Sequence, residues 1–139
     1  QRFCHAERCT GAWIGDERIT ARASGASPPI AAISLVFADA DKREALKTHI
    51  APHYTLVDIP RCAAEQYPRI VLGENDITIF ERTLAWDHAA GVLFLNEAGG
   101  KVCRPDGSAY RVDEIERTGM IGAASPSLWD GIAALYAKL

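Results

Sequence analysis

An uninterrupted apolar segment inside one helix constrains the fold of this chain more than any other sequence feature. The pattern predicts a helix over 86–98, closed by Gly99-Gly100, since glycine commonly adopts the left-handed conformation that ends a helix. Every side chain from Ala89 to Leu95 is apolar, so protein must cover this helix on nearly all sides. The small residues at its centre allow a neighbouring element to approach closely. A helix of this kind needs other layers packed around it.

Predicted strands and helices alternate over most of the chain. We expect strands over 2–8, 11–20 (a pair around the Gly15-Asp16 turn), 30–38, 54–59, 76–82, 101–104 and 119–125. We expect helices over 39–50, 62–73 with Pro68 inside, 86–98, and from Pro126 onward with Ser125 as N-cap. This order predicts an α/β fold, a layered domain with a mixed, largely parallel sheet flanked by helices. The 139 residues fit a single domain over 1–139.

Charge, hydropathy and cysteine content restrict the expected partners and compartment. The formal net charge of −3 argues against nucleic acid, whose phosphates require a basic face. No uncharged apolar run approaches the roughly 20 residues that cross a bilayer, so we expect no membrane partner. The four cysteines form no C-x-x-C pair, and Cys62 and Cys103 lie in apolar surroundings. We therefore expect buried, reduced thiols and a cytoplasmic location.

One acidic residue, Asp87, lies at the head of the apolar helix. In the first turn, the helix dipole and unpaired N–H groups favour a negative charge, so Asp87 could simply cap the helix. A helix N-terminus also suits a phosphate anion, and a carboxylate there is available for a hard cation such as Mg²⁺. Both interpretations stay open on the residue pattern alone.

The segment that contains Asp87 resembles the signature of a known enzyme family. "WDHAAGVLFLNEAGG" (86–100) resembles the C-terminal motif of the inositol monophosphatase family, and the likeness extends to "RTLAWDHAAG" and "GGKVCRPDGSAY". A weaker likeness covers most of the chain. The resemblance implies the C-terminal half of an αβαβα sandwich and a Mg²⁺-dependent phosphomonoesterase acting on a small phosphorylated substrate. It implies that Asp87 is a catalytic metal ligand that also helps to orient the attacking water.

Other motifs of the family are missing from the chain. The family's Gly-x-Glu-Glu and Asp-Pro-x-Asp-Gly-Thr segments, which supply further metal carboxylates, do not occur; "GDERIT" and "GENDIT" contain acids without the pattern. The chain also begins without Met, in what looks like the middle of a strand. We therefore expect the C-terminal part of a longer phosphatase whose N-terminal metal-binding half is absent. We expect this fragment alone to be inactive.

The resemblance also implies substrate-binding positions, with departures at each. The family's Gly-Ser/Thr-Ala stretch at a helix start corresponds to Arg61, Cys62 and Ala63. A family Glu that binds a substrate hydroxyl corresponds to Glu81, one residue closer to the Trp-Asp pair than usual. These departures weaken the case for inositol itself, and Arg61 could instead contact an additional anionic group. A buried, inert Cys62 and a solvated Arg61 are the plainer interpretations.

Three further residues have structural interpretations. We expect Trp86 to pack at the helix entrance as a hydrophobic staple, and His88 to lie outside the metal-binding shell because consecutive helical side chains point about 100° apart. Glu97, at the far end of the helix, should be structural.

Alternative functions stay open. The chain could be a non-catalytic binding or oligomerisation module derived from the family. The parent could instead be a related phosphatase acting on fructose bisphosphate, a nucleotide bisphosphate or histidinol phosphate. Because half of a layered enzyme would expose apolar surface, we also expect a homo-oligomer.

Overall fold

The computed structural model describes residues 1–139 and folds them into two sheets with helices between and beside them. The strands are β1 (Cys4–Glu7), β2 (Gly11–Ile14), β3 (Glu17–Ile19), β4 (Ile30–Ile33), β5 (Thr55–Leu56), β6 (Ile77–Phe80), β7 (Lys101–Cys103) and β8 (Met120–Ala123). The helices are α1 (Ala40–Ala45), α2 (Ala63–Val71), α3 (Ala85–Glu97) and α4 (Pro126–Tyr136). The alternation predicted from the sequence is thus confirmed, with shorter strands than expected.

Side-chain caps start two of the helices where the sequence predicts them. Asp39 accepts a hydrogen bond from the Lys42 N–H at the start of α1, and Ser125 accepts one from the Leu128 N–H at the start of α4. Each cap satisfies one of the N–H groups that a helix start leaves without a partner. After α1, the chain continues through a π-helical turn (Leu46–Ile50) and a 3₁₀ turn (Ala51–His53). The predicted helix over 39–50 is therefore real, although only its first half is α-helical.

The larger sheet is mixed and has five strands in the order β5-β4-β6-β8-β7. β5, β4 and β6 are parallel neighbours, whereas β8 is antiparallel to both β6 and β7. Four of the five strands consequently point the same way, which confirms the predicted mixed, largely parallel sheet. All four residues of β6 and of β8 are buried, as expected for strands covered on both faces.

The smaller sheet is an antiparallel meander, β1-β2-β3, at the N-terminal end. Its β2–β3 hairpin turns at Gly15-Asp16, as predicted, and Gly15 has a φ of 58° that a side chain would disfavour. The meander packs on α3 through apolar residues of one face. The contacting side chains are Cys4, Ala6, Ala12, Ile14 and Ile19.

Two apolar clusters lie on opposite faces of the five-stranded sheet. One contains α2, α3 and the meander and includes Tyr67, Phe80 and Leu95. The other contains α4 and the turn after α1 and includes Leu46, Ile121 and Trp129. The layers therefore run meander, α2–α3, five-stranded sheet, α1–α4, and α3 is covered on both sides as its apolar sequence requires.

The predicted strand over 30–38 is too long. β4 ends at Ile33, its last inter-strand hydrogen bond runs from the Ser34 N–H to the Ile79 carbonyl (2.9 Å), and the chain then turns. Val36 and Phe37 are 72% and 50% exposed, although their sequence suggests a buried strand. A membrane span would require a longer and more apolar helix than any that this fold contains.

Candidate active site

A cavity of about 610 Å³ opens where β4, α2, β6 and α3 meet. Three segments distant in sequence form its walls: the turn after β4, the approach to α2, and the end of β6 with the start of α3. The lining residues are Ser34, Val36, Phe37, Ile59, Pro60, Arg61, Cys62, Ala63, Phe80, Arg82, Asp87 and His88. The fold thus brings Asp87 together with Arg61–Ala63, two groups that the family resemblance relates to one site.

Asp87 is the third residue of α3 and is exposed to the cavity. The N-cap of α3 is Leu84, which has no side chain able to cap, and the first turn closes only through backbone hydrogen bonds such as Asp87 N–H to Leu84 O (3.0 Å). No cation of the chain pairs with the Asp87 carboxylate. An unpaired carboxylate in this position has both oxygens available to a ligand.

The N-terminus of α2 forms the facing wall. Cys62 is its N-cap, with φ −103° and ψ 115°, and makes no side-chain capping bond. The first N–H groups of α2 therefore have no side-chain acceptor, and together with the helix dipole they favour an anion. Cys62 is exposed, so the expectation of a buried thiol there is wrong: the first turn of α2 borders the cavity instead of the core. Cys103 is buried as expected.

His88 forms the floor of the cavity and is only 4% exposed. Its Nδ1 lies 2.8 Å from the Tyr67 hydroxyl, and its ring contacts Phe80 edge-on at 4.6 Å between centroids. Burial lowers the pKa of His88 below 6.5, although the neighbouring Asp87 charge acts in the opposite direction. This hydrogen bond ties the first turn of α3 to the buried Tyr67 of α2.

Glu81 lies outside the cavity. It follows the last residue of β6 and points to the opposite side of the sheet from Phe80, where its Oε2 lies 2.8 Å from Lys42 Nζ. Burial disfavours the charge on Lys42, but hydrogen bonds to Glu81 and Tyr136 outweigh this effect and raise the Lys42 pKa. The structure therefore does not bring Glu81 together with Asp87 and Arg61–Ala63.

Arg82 lines the cavity, whereas the family resemblance assigned a position there to Glu81. Its guanidinium carbon lies 3.7 Å from the centroid of the Phe37 ring. The sequence analysis did not identify Arg82 as a site residue, although strand alternation could have indicated it. Because successive side chains of a strand point to opposite faces, Phe80 and Arg82 share one face and Glu81 faces away. Arg82 adds a second guanidinium to a cavity that already contains Arg61.

The two remaining residues of the motif lie outside the cavity. Trp86 is 78% exposed, so the prediction that it acts as a hydrophobic staple is wrong. It is the second residue of α3, whereas a staple joins the residue before the N-cap to the fourth residue of the helix.

Glu97 is structural, as expected, because its carboxylate accepts hydrogen bonds from the Cys9 N–H (2.8 Å) and the Gly11 N–H (3.0 Å). Glu97 thereby fastens the β1–β2 turn to the C-terminal end of α3.

The residues of this chain do not form a complete metal site. A lone exposed carboxylate suits one coordination position of a hard cation such as Mg²⁺. No group of three or more His, Cys, Asp or Glu side chains is arranged to hold a metal ion.

Comparison with known proteins places this arrangement in a family. The family model for the inositol monophosphatase family matches residues 1–138. No curated protein matches the chain.

The solved structures that resemble the chain have the same fold at low sequence identity. The extragenic suppressor protein suhB from Bartonella henselae is 21% identical with a TM-score of 0.80, over 99% of this chain and 53% of that protein. An inositol monophosphatase from Anabaena is 20% identical with a TM-score of 0.76, over 100% and 55% of the two chains. An inositol monophosphatase II from Staphylococcus aureus is 18% identical with a TM-score of 0.80, over 99% and 51%. The chain thus spans about half the length of these proteins, and it belongs to the inositol monophosphatase family.

Proposed function

We propose that the chain is the substrate-facing C-terminal half of a Mg²⁺-dependent phosphomonoesterase that acts on a small phosphorylated sugar or polyol. The observation that carries this proposal is the shared cavity. In it, the unpaired carboxylate of Asp87 faces the same space as the N-terminus of α2, which has no side-chain cap. A phosphate ester needs both kinds of group, one to hold a cation and one to hold the anion.

The residues divide between these two tasks. Backbone N–H groups at the start of α2, next to Cys62 and Ala63, would bind the phosphate, and Arg61 would add a positive charge beside them. Asp87 would contribute one ligand to Mg²⁺, which when bound would neutralise phosphate charge and activate water. His88, bonded to Tyr67, would hold the first turn of α3 in place.

The fragment itself is proposed to be inactive. The chain spans about half of its structural relatives, and it contains no group of three or more potential metal ligands. One carboxylate gives too few ligands to bind and orient a catalytic Mg²⁺. We therefore propose the phosphatase activity for a longer protein that contains this chain, and we propose that this protein is located in the cytoplasm.

Phosphate release from a panel of phosphate monoesters tests the proposal. The longer protein should release phosphate only with Mg²⁺, and Asp87→Asn should reduce turnover by at least about 100-fold while circular dichroism remains unchanged. Asp41→Asn is the matched control, because Asp41 is also an acid in the first turn of a helix but lies in α1, away from the cavity. Full activity in Asp87→Asn would refute the ligand role. Mg²⁺-dependent activity from residues 1–139 alone would refute the proposed inactivity of the fragment.

A further inference from the structure

We infer that Arg104 is a positioning residue for the reaction: through Thr83 it fixes the direction in which the first turn of α3 presents Asp87 to the cavity. This inference rests on the proposed function, to which it adds a residue that does not line the cavity. Arg104 directly follows β7 and begins the β7–β8 connection (104–119). This connection contacts the residues between β6 and α3.

The start of α3 is not fixed by a side-chain cap. Its N-cap residue, Leu84, has an apolar side chain, so no side chain of the N-cap binds the first N–H groups of the helix. On the α2 side, the hydrogen bond between His88 and Tyr67 holds the first turn. The direction of the turn depends in addition on Thr83, the residue directly before the N-cap.

Thr83 is held by the β7–β8 connection through both its side chain and its backbone. Arg104 Nη1 donates a hydrogen bond to Thr83 Oγ1 (2.8 Å), and the Tyr110 hydroxyl donates one to the Thr83 carbonyl (2.9 Å). Thr83 Oγ1 itself donates to the Arg117 carbonyl (3.2 Å). The entry of the chain into α3 is therefore set by hydrogen bonds to a segment that lies at least 20 positions later in the sequence.

Arg104 is fully buried, and the connection itself anchors it. Its Nη1 also lies 3.1 Å from the Gly119 carbonyl and 3.3 Å from the Arg117 carbonyl, and its guanidinium carbon lies 5.0 Å from the centroid of the Tyr110 ring. Gly119 in turn donates its N–H to the Glu81 carbonyl (2.8 Å). Both ends of the connection thus hold the segment before α3, with Arg104 as its buried centre.

The buried charge of Arg104 argues against a role in stability alone. Arg104 forms no ion pair with any carboxylate of the chain, and its Nε and Nη2 have no hydrogen-bond partner within the chain. A buried guanidinium without a counter-ion costs stability, and an apolar side chain of similar volume is often at least as stable. An apolar side chain, however, could not replace the hydrogen bond to Thr83.

Turnover of the longer protein that contains this chain tests the inference, with the phosphate monoester that the wild-type protein hydrolyses fastest. Arg104→Met fills most of the buried volume without the hydrogen bond. It should lower kcat roughly 10- to 100-fold, because a displacement of about 1 Å at a site can cost about 100-fold. KM should change less than about 2-fold, because the start of α2 is untouched. Arg104→Lys, which can still donate to Thr83 Oγ1, should recover part of the loss.

A second variant tests the route through Thr83. Thr83→Val removes the acceptor with little change in shape, and it should lower kcat much less in the Arg104→Met background than in wild type, because both changes remove the same bond. Thr78→Val is the matched control: Thr78 is fully buried and donates to the Ala32 carbonyl (3.0 Å) within the sheet, so this change should lower Tm but not kcat. All rates are measured well below the Tm of each variant. Fully additive losses, or equal kcat losses in Thr78→Val and Thr83→Val, would overturn the inference.

Amide hydrogen exchange distinguishes failure of this inference from failure of the proposed function. The Asp87 and His88 N–H groups both donate to the Leu84 carbonyl. In the longer protein, with EDTA and without substrate, these two amides should exchange faster in Arg104→Met and Thr83→Val than in wild type, and at the wild-type rate in Thr78→Val. If no ester is hydrolysed but exchange changes in this way, the phosphatase proposal fails and the hold of Arg104 on α3 stands. Unchanged exchange would overturn the inference whatever the catalytic result.

Discussion

The hydroxyl of Tyr67 and the Nδ1 of His88 lie 2.8 Å apart, and this hydrogen bond joins α2 to α3 beneath the candidate active site. Tyr67 is fully buried and His88 nearly so. Each residue lies on a helix whose first turn forms one wall of the cavity. The distance between the start of α2 and Asp87 therefore depends on this contact between the two helices.

Removal of the Tyr67 hydroxyl should destabilise the chain. Tyr67→Phe leaves the buried Nδ1 of His88 without its partner, which typically costs about 1–3 kcal/mol. Urea unfolding followed by circular dichroism measures the change. Tyr54→Phe is the control, because the Tyr54 side chain is only partly buried and forms no hydrogen bond through its hydroxyl; its free energy of unfolding should stay within about 0.5 kcal/mol of wild type. Equal stability of the two variants would show that the Tyr67 contact is energetically unimportant.

Gly91 should be intolerant of even a methyl group. A Cβ at this position would overlap the Tyr67 ring at the crossing of α2 and α3, and such overpacking commonly costs about 1–3 kcal/mol. Gly131→Ala in α4 is a matched control, because a Cβ there meets no atom within 4 Å. It should instead stabilise the chain by up to about 1 kcal/mol through helix propensity. Thermal unfolding of both variants checks the prediction, which an unchanged or raised Tm for Gly91→Ala would contradict.

Stability should fall as the pH is lowered through the titration range of His88. Burial holds the folded-state pKa of His88 below its usual value of 6.5, so below about pH 6.5 the unfolded state binds more protons than the folded state. The free energy of unfolding should therefore decrease from neutral pH towards the depressed folded-state pKa. Urea titrations at a series of pH values should show this slope in wild type and a smaller one in His88→Gln. His49→Gln, at an exposed position, should keep the wild-type slope; if His88→Gln also keeps it, the slope has another origin.

We propose that the isolated chain self-associates through exposed apolar side chains near the start of α3. Trp86, Val112 and Ile115 are 78%, 60% and 68% exposed and line one shallow depression. Sedimentation velocity over a range of concentrations should show a concentration-dependent increase in mass, reduced by combining Trp86→Gln with Ile115→Lys. A monodisperse monomer at high concentration would contradict this expectation.

The local elements could be predicted from the sequence because each has a signal within a few residues. The apolar run from Ala89 to Leu95 and the glycine pair after it define α3, and Ser125-Pro126 defines the start of α4. The position of Asp87 in the first turn follows from the same pattern. Its association with Arg61–Ala63 came from the family resemblance, and the shared cavity brings these residues together.

What the sequence did not reveal depends on contacts between distant segments. Val36 and Phe37 resemble a continuation of β4, but they face the cavity because the neighbouring strand β6 also ends there. The apolar sequence around Cys62 suggests a buried thiol, but the fold places Cys62 at the cavity, where it is exposed. Glu81 is turned away by its alternation with Phe80 and by Lys42, which lies 39 positions earlier in the chain.

The hydrogen bonds from the β1–β2 turn to Glu97 attach the meander to the C-terminal end of α3, whereas Asp87 lies near its N-terminal end. A rotation of α3 about its attached end would therefore move Asp87. Ten residues at 1.5 Å each separate Glu97 from Asp87, so a tilt of roughly 5° about the Glu97 end would displace Asp87 by about 1.3 Å. Catalytic groups tolerate displacements of only about 0.5 Å. Both hydrogen bonds come from backbone N–H groups, so a substitution acts on α3 only if it shifts the backbone of the turn, as one at Gly11 (φ 113°) would.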